Sequence, residues 1–489
     1  MNYHDALRNK EKCNGEIHTM KTPPLYNTES FQRMNSHKVH SFDHAAGTFD
    51  IESFVEDHVF YDSNGQEEAV INTITYTKAG AGNRPVMFLW NGGPGSATST
   101  LNLECFGPYQ IRKEQDGTTN VNDLVEDPNC LLDVCDLVFV DPVGVGFSRL
   151  LQESSKEKYY SLIGDARSNA FVILDWIRTH HRWDSPIYLL GESYGTIRVS
   201  RILEELGRNP MQGNRMMLGL KIAGVILVGV ALSMDENGNI CDPKLDLLTG
   251  ALPSMAAVNW FHNHDQFDTP VSEADFVDEA WAFAAKELTP ALFEGDTCPA
   301  SEIEHIAGGL SRITGMDAAY FVSTHLRLNN IQDYMTQVIA AKGERVDLYD
   351  GRITQSLQEE YNEVGNSNIP LLLMNGKLSD TLGLSGDRLY YTGNINITMD
   401  WNYHSEDPIS NMDCLRNAMN RMPDLKVLVA SGRYDLCTLL GNTRYIFNHA
   451  SLPKVNLTLR EYSGGHGVYS STEGKKEFLA DIRDMLADE

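Results

Sequence analysis

The sequence predicts an α/β fold in which a mostly parallel central sheet carries helices on both faces and an inserted, mainly helical cap. Three observations lead to this prediction. Short continuous apolar runs, typical of strands buried on both faces, occur at 85–90, 135–141, 186–190, 222–229 and 425–430. Segments with helical spacing follow several of these runs, an alternation that indicates a parallel sheet. Between about 241 and 412, helical segments occur without such strands.

The sequence predicts three regions. Residues 1–36 form a loosely ordered N-terminal arm, because they are polar and contain a Pro-Pro pair. Residues 37–240 and 413–489 form the α/β core, which begins with an antiparallel meander that turns at 62–65 and includes helices at 163–180 and 474–486. Residues 241–412 form the cap. Its position between two core strands predicts that it covers the mouth of the site and sets selectivity.

Composition excludes several functions. The 489 residues suffice for a large core, and 40 basic against 67 acidic side chains give a net charge of −27, which argues against a nucleic-acid partner. No run approaches the roughly 18 apolar residues of a membrane span, and residues 1–40 lack the apolar core of a signal peptide. We therefore expect no membrane partner and a cytoplasmic location, with a secreted mature form as the alternative.

The cysteines point to neither a metal site nor a disulfide framework. Eight cysteines are scattered along the chain, at positions 13, 105, 130, 135, 241, 298, 414 and 437. None forms a C-x-x-C pair or a Cys/His spacing typical of zinc. Reduced thiols are the simplest interpretation, and they agree with an intracellular location. We expect no metal and no cofactor.

A G-x-S-x-G motif at 191–195 marks a candidate nucleophile. It follows the apolar run 186–190 and precedes a segment whose apolar residues return with helical spacing up to Leu206. Strand, turn and helix are the context that the nucleophile elbow requires, in which a strained turn exposes the serine hydroxyl. The alternative is a serine in an ordinary βα turn. The context favours Ser193 as a nucleophile.

Two further residues complete a candidate triad. A serine hydroxyl becomes nucleophilic when an imidazole accepts its proton and a carboxylate orients that imidazole. In α/β-hydrolases the chain order is Ser, then Asp or Glu, then His. Asp435 follows the strand at 425–430 and His466 follows the strand at 455–461, so both lie at the same sheet edge as Ser193. Each alone could be a turn or surface residue, but their joint placement favours the triad.

The glycine loop 91–95 offers an oxyanion donor. An oxyanion requires two preorganised N–H groups, and the residue after the nucleophile, Tyr194, supplies one. The loop follows a buried strand, and its Gly93 is the best candidate for the other. The alternative is a plain turn.

Together these motifs resemble the serine carboxypeptidase family, in its bacterial branch. The resemblance rests on four matches: W-N-G-G-P-G-S at 90–96, D-P-V-G-V-G-F-S at 141–148, G-E-S-Y-G at 191–195, and Gly465-His466. It extends from about Thr48 to the C-terminus and includes residues 252–262 of the cap. It implies an α/β-hydrolase fold and the removal of C-terminal residues from peptides with a free C-terminus. A homodimer is compatible with it.

The resemblance also implies roles for individual residues. The triad falls on Ser193, Asp435 and His466, and the oxyanion donors fall on Gly93 and Tyr194. The substrate's free carboxylate would be bound by three side chains, those of Asn91, Glu192 and Glu104. The segment 104–108 has one residue more before Gly-Pro than the family pattern, so a solvated loop carboxylate is the alternative for the third of these. Secreted relatives often have a cysteine at position 96, and the serine here means that their disulfide is absent.

Two other functions stay open. The same fold hosts esterases and acyltransferases, although a carboxylate next to the nucleophile, Glu192, argues against them. A binding protein with an inactive site is the other alternative, against which the intact Ser193, Asp435 and His466 argue.

Overall fold

The computed structural model describes residues 31–113, 120–207, 220–232, 245–361, 368–384, 388–404 and 409–487. Nearly all of the predicted N-terminal arm, and Cys13 and Cys241, therefore lie outside the described residues. Contacts divide the chain into two compact units. The larger comprises Met34–Leu245, Asp347–Ile353 and Tyr361–Glu489, and the smaller Met1–Arg33, Asp246–Val346 and Thr354–Glu360. Within the described ranges, no helix combines the length and the apolar character that crossing a membrane requires.

The larger unit is built on a ten-stranded mixed sheet. The described strands, in chain order, are β1 (Asn35–His44), β2 (Gly47–Tyr61), β3 (Glu67–Lys78), β4 (Val86–Trp90), β5 (Tyr109–Lys113), β6 (Asn120–Glu126), β7 (Asp136–Asp141), β8 (Arg149–Leu150), β9 (Ile187–Glu192), β10 (Ile222–Val228), β11 (Glu344–Val346), β12 (Thr354–Ser356), β13 (Lys426–Gly432) and β14 (Leu457–Tyr462). The sheet order is β1-β2-β3-β7-β4-β9-β10-β13-β14, with β8 paired to β3. From β7 to β14 all neighbours are parallel, which confirms the predicted mostly parallel sheet.

The central parallel strands are covered on both faces. Every residue of β4, β7, β9 and β10 is buried, as their continuous apolar runs predict. Phe88 of β4 packs edge-on against Trp176 of the helix Leu162–Thr179, with 5.5 Å between ring centroids. On β9, the Tyr188 hydroxyl donates to the carbonyl of Met485 in the helix Thr472–Ala487, at 3.5 Å. Tyr188 pairs with Met87, the residue before Phe88, and consecutive strand residues point to opposite faces. The two helices therefore lie on opposite faces.

The antiparallel part of the sheet is a meander of β1, β2 and β3. The sequence segments 48–54 and 59–61, whose alternating pattern predicts strands of this meander, form one continuous strand, β2, because its middle residues also pair on both sides. Glu56, for example, is opposite Asn35 of β1 and Thr73 of β3. The predicted turn between β2 and β3 is closed by Asp62, whose Oδ1 accepts the N–H groups of Asn64 (2.8 Å) and Gln66 (2.9 Å).

Helices of the larger unit include the three that the sequence predicts, namely the one before β9, the one after the elbow and the closing one. Its described α-helices are Lys156–Tyr159, Leu162–Thr179, Tyr194–Gly207, Ile369–Leu373, Ser379–Leu382, Ile395–Asp400, Asn411–Arg421, Leu440–His449 and Thr472–Ala487. The smaller unit is mainly helical, with the hairpin β11–β12. Its described α-helices are Leu247–Asn263, Glu273–Phe283, Thr289–Glu294, Ala300–Thr314, Ala318–Ser323 and Ile331–Gln337.

The bounds of the smaller unit differ from the predicted cap of 241–412. The contacts assign Tyr361 and the residues after it to the larger unit. In this segment Arg388 forms an ion pair with Asp57 of β2 (2.7 Å), and the Tyr390 hydroxyl donates to Asp141 of β7 (3.1 Å). Residues 361–412 contribute helices but no named strand among those described. Their sequence pattern therefore resembles that of the cap, although Arg388 and Tyr390 contact strands of the sheet.

Candidate active site

The candidate nucleophile lies on a strained turn between β9 and the helix Tyr194–Gly207. Ser193 has φ 57°, in the left-handed region that a residue with a side chain rarely adopts. A Cβ on Gly191 would lie 2.0 Å from the Gly195 carbonyl oxygen, and one on Gly195 would lie 2.7 Å from that of Trp90. Only glycine permits these approaches, so both glycines of the motif are needed for the elbow. The Ser193 N–H donates to the Val228 carbonyl at 2.9 Å.

Asp435 and His466 follow β13 and β14, and the structure brings them together. His466 Nδ1 lies 2.9 Å from Asp435 Oδ2. The other carboxylate oxygen accepts the N–H groups of Cys437 (2.7 Å) and Thr438 (2.9 Å), and the Thr438 hydroxyl donates to Oδ2. This arrangement holds the proton of a neutral imidazole on Nδ1 and leaves Nε2 free to accept a proton.

The electrostatic surroundings of His466 favour its charged form. Burial acts to lower the pKa of His466, but the charge of Asp435, its hydrogen bond and the charge of Glu192 together raise the pKa above its ordinary value. The imidazole is therefore a stronger base than an isolated histidine, as removal of a serine proton requires.

The nucleophile and the imidazole flank the end of β10. The Ser193 backbone N–H is hydrogen-bonded to the Val228 carbonyl. A Cβ on Gly229, which follows Val228, would lie 3.0 Å from His466 Cε1. Nδ1 of His466 contacts Asp435 and Thr438. Among the described residues, His466 Nε2 and the Ser193 hydroxyl form no hydrogen bond in this structure. Such catalytic hydrogen bonds often form only when substrate is bound.

The glycine loop passes directly beside the nucleophile. A Cβ on Gly92 would lie 2.6 Å from Ser193 Cβ and 2.9 Å from the Tyr194 nitrogen. Gly93 has φ 106°, which favours glycine. Among the described residues, neither the Gly93 nor the Tyr194 N–H donates to a backbone carbonyl. Tyr194 is the first residue of its helix, where N–H groups have no intrahelical partner. Of the two predicted donors, Tyr194 directly follows Ser193, and Gly93 directly follows Gly92, which contacts Ser193.

Glu192 is buried beside the nucleophile, with a donor on each oxygen. Asn91 Nδ2 donates to Oε1 at 2.7 Å, and the Tyr469 hydroxyl donates to Oε2 at 2.6 Å. Burial raises the pKa of Glu192, against the lowering effects of the His466 charge and of the two donors. A protonated carboxyl is therefore accessible here at milder pH than in water.

Glu104 lies near this carboxyl and is half-buried. It belongs to a π-helical turn (Leu101–Phe106) whose other residues are buried, and not to a solvated loop. The turn is closed by the Gly107 N–H, which donates to the Asn102 carbonyl five residues earlier, at 2.9 Å. This spacing accommodates one residue more than an α-helical turn, which is the extra residue in the sequence before Gly107-Pro108. The pKa of Glu104 is raised to about 6, mainly by burial. The charge of Glu192 also raises this pKa, whereas the charges of Lys113 and Lys475 lower it.

A loop that sequence reasoning did not identify, residues 347–353, holds both the acid and the base. The Tyr349 carbonyl accepts a hydrogen bond from the backbone N–H of His466 at 2.6 Å, and the centroids of their two rings lie 5.4 Å apart. The Leu348 carbonyl accepts the N–H of Leu436 (3.1 Å), next to Asp435. These are mainly backbone contacts, so no side-chain pattern in the sequence marks the loop.

A buried polar network, also missed from the sequence, supports the glycine loop. Arg198, 1% exposed, donates through Nε to Asp165 (2.8 Å) and through Nη1 to the Asn91 carbonyl (2.8 Å). Asp165 also accepts from Asn169 (3.0 Å), whose amide oxygen accepts from the Trp90 indole (2.8 Å). A charged residue five positions after the candidate nucleophile, between the apolar Ile197 and Val199, was the available signal.

Two groups of side chains bring potential metal ligands within 4.8 Å of one another among the described residues. In the first, Asp435, Cys437 and His466, the acid and the imidazole already bond to each other. The second joins the buried thiol of Cys298 to the exposed Glu294 and Glu302. Among the described cysteines, those at 105, 130, 135 and 298 are free thiols.

The chain is similar to known proteins in sequence and in fold. The profile of the serine carboxypeptidase family matches residues 37–473. The pheromone-processing carboxypeptidase kex1 of Aspergillus niger is 29% identical over 155 residues, which are 31% of this chain and 23% of that protein. The crystal structure of Kex1(delta)p, a prohormone-processing carboxypeptidase from Saccharomyces cerevisiae, is similar with a TM-score of 0.55 at 13% identity, covering 88% of this chain and 91% of that chain. The fold is thus the predicted α/β-hydrolase fold, and the chain belongs to the serine carboxypeptidase family.

Proposed function

We propose that the protein is a serine carboxypeptidase that hydrolyses the C-terminal peptide bond of peptides through an acyl-enzyme. Family membership supports a peptidase, and the hydrogen-bonded Asp435–His466 pair beside Ser193 supports the triad. The observation that carries the substrate class is Glu192, a buried carboxyl adjacent to the nucleophile. An uncharged ester or amide gains nothing from such a group, whereas a free carboxylate can share a proton with it.

In the proposed acylation, Ser193 Oγ attacks the carbonyl carbon of the scissile bond while His466 Nε2 takes its proton. Asp435 stabilises the resulting imidazolium. The N–H groups of Gly93 and Tyr194 donate to the oxyanion of the tetrahedral intermediate. The imidazolium then gives its proton to the leaving nitrogen as the carbon–nitrogen bond breaks, and the C-terminal amino acid departs. Water repeats the sequence on the acyl-enzyme and restores the Ser193 hydroxyl.

The substrate's carboxylate would bind to Asn91, Glu192 and Glu104. Three carboxylates at hydrogen-bonding distance cannot all stay ionised, because like charges disfavour the ionised forms. The raised pKa values of both glutamates have burial as their leading cause. At least one glutamic acid can therefore donate a proton to the substrate's oxygens, which makes binding tightest on the acid side.

Three substrates test the proposal: a blocked dipeptide, the C-terminal amide of the same dipeptide, and a short acyl ester. Cleavage of the free acid, with kcat/KM at least about 100-fold above that of the amide, is expected. This ratio corresponds to roughly 2.7 kcal/mol of carboxylate recognition. Preferred cleavage of the ester would instead select the esterase or acyltransferase alternative. Binding of peptides without turnover of any substrate would select the inactive binding protein. Ser193→Ala is the control for background hydrolysis.

A further inference from the structure

Tyr469 connects the loop of the candidate base to the carboxyl beside the nucleophile. It lies three residues after His466, is 4% exposed, and donates its hydroxyl to Glu192 Oε2 at 2.6 Å. Gly467 leaves room for its ring, since a Cβ there would lie 3.0 Å from Tyr469 Cζ. Tyr469 matches none of the motifs from which the site was assembled, and the acyl transfer does not use it.

The two donors on Glu192 come from different elements and fix the plane of its carboxyl group. Asn91, the residue after β4, donates to Oε1, and the Tyr469 hydroxyl donates to Oε2. The charged groups that act on this carboxyl are Asp435 and His466 in the loops after β13 and β14, and Glu104 in the π-helical turn. Unlike these charged groups, the Tyr469 hydroxyl is a neutral donor. It stabilises the ionised carboxylate of Glu192 without adding charge.

We propose that Tyr469 is a positioning residue for Glu192 and sets the pH range over which the site accepts a substrate carboxylate. The inference rests on the proposed carboxylate-binding role of Glu192. Without the hydroxyl, the ionised Glu192 carboxylate loses one of its two hydrogen-bond donors. The protonated carboxyl, which shares its proton with the substrate, keeps the hydrogen bond from Asn91. Glu192 then stays protonated to higher pH, and free-acid peptides bind over a wider range.

The test is Tyr469→Phe, which removes one oxygen and keeps the ring. We measure kcat and KM from pH 4 to 8 for a blocked dipeptide and for an ester without a free carboxylate. The net contribution of one hydrogen bond shifts the titration of a carboxyl group by about one pH unit. The pH at which KM for the dipeptide rises should therefore be about one unit higher in the variant. The kcat of the dipeptide should change less than about threefold, and KM of the ester should be independent of the substitution.

The matched control is Tyr462→Phe, which removes a hydroxyl bonded to Asp481 at 2.7 Å in another part of the larger unit. It should leave the KM profile at the wild-type pH. Glu192→Gln separates the inference from the proposed function. If it leaves the KM profile unchanged, the carboxylate-binding role itself is wrong. If it flattens the profile while Tyr469→Phe shows no shift, only the role of Tyr469 is wrong. Equal losses on dipeptide and ester, or failure of Tyr469→Phe to fold, would also contradict the inference.

Discussion

Gly92→Ala is the most direct test of how the glycine loop serves the nucleophile. The new Cβ would lie 2.6 Å from Ser193 Cβ, whereas ordinary contact begins at 3.4 Å. The loop must therefore retreat by about 0.8 Å, because the other close atoms, the Glu192 carbonyl oxygen and the Tyr194 nitrogen, are backbone atoms and cannot rotate away. Gly92 does not have a left-handed φ, so the substitution tests the close approach alone.

The expected cost follows from the hydrogen bond that the loop would make. An oxyanion donor at about 2.9 Å moves to about 3.7 Å, which is beyond hydrogen-bonding range. Loss of one oxyanion donor lowers kcat by about 10²- to 10³-fold. We expect a loss of this size with KM within about threefold of wild type, since the ground-state carbonyl depends less on the donor.

The assay is steady-state hydrolysis of a blocked dipeptide, with circular dichroism to verify folding. Gly308→Ala is the matched control, because a Cβ at this glycine of the helix Ala300–Thr314 meets nothing within 4 Å. It should keep wild-type kcat. A folded Gly92→Ala protein with kcat within threefold of wild type would refute the assignment of an oxyanion donor to this loop.

Three further predictions concern the nucleophile, its support and its pH dependence. Ser193→Ala should lower kcat by about 10⁴- to 10⁶-fold, and an organophosphate should label wild type but not the variant; equal labelling would contradict the role. Arg198→Met leaves Asp165 charged and buried, so urea unfolding should show a loss of about 3–5 kcal/mol; a loss below about 1 kcal/mol would contradict it. For free-acid dipeptides KM should rise with pH as Glu192 loses its proton, and kcat should fall towards acid pH as His466 gains one. Glu192→Gln should flatten KM, and a wild-type KM without pH dependence would exclude the carboxylate role.

The sheet could be predicted from the sequence because its central strands are buried on both faces. All residues of β4, β7, β9 and β10 are buried. Such strands therefore appear in the sequence as short, mainly apolar runs. The elbow was predictable for a related reason. Its glycines are required by contacts of 2.0 and 2.7 Å, and such requirements leave a local pattern.

The remaining features depend on contacts between distant segments. The Tyr349 carbonyl reaches His466 across 117 positions of sequence, and a carbonyl is common to every residue type. The segment after Tyr361 joins the larger unit through side chains such as Arg388 and Tyr390, which alone do not reveal their partners. The extra residue before Gly107-Pro108 was visible, but its accommodation in a π-helical turn required the backbone.

The loop 347–353 has a consequence for any attempt to shorten this protein. Its flanking strands, β11 and β12, belong to the smaller unit, whereas the loop itself belongs to the larger one. Excision of residues 246–360 as a dispensable module would also remove the carbonyls that anchor Leu436 and His466. A shortened version of this protein must therefore keep this loop, closed by a substitute hairpin. Otherwise Leu436, next to Asp435, and His466 lose these backbone hydrogen bonds.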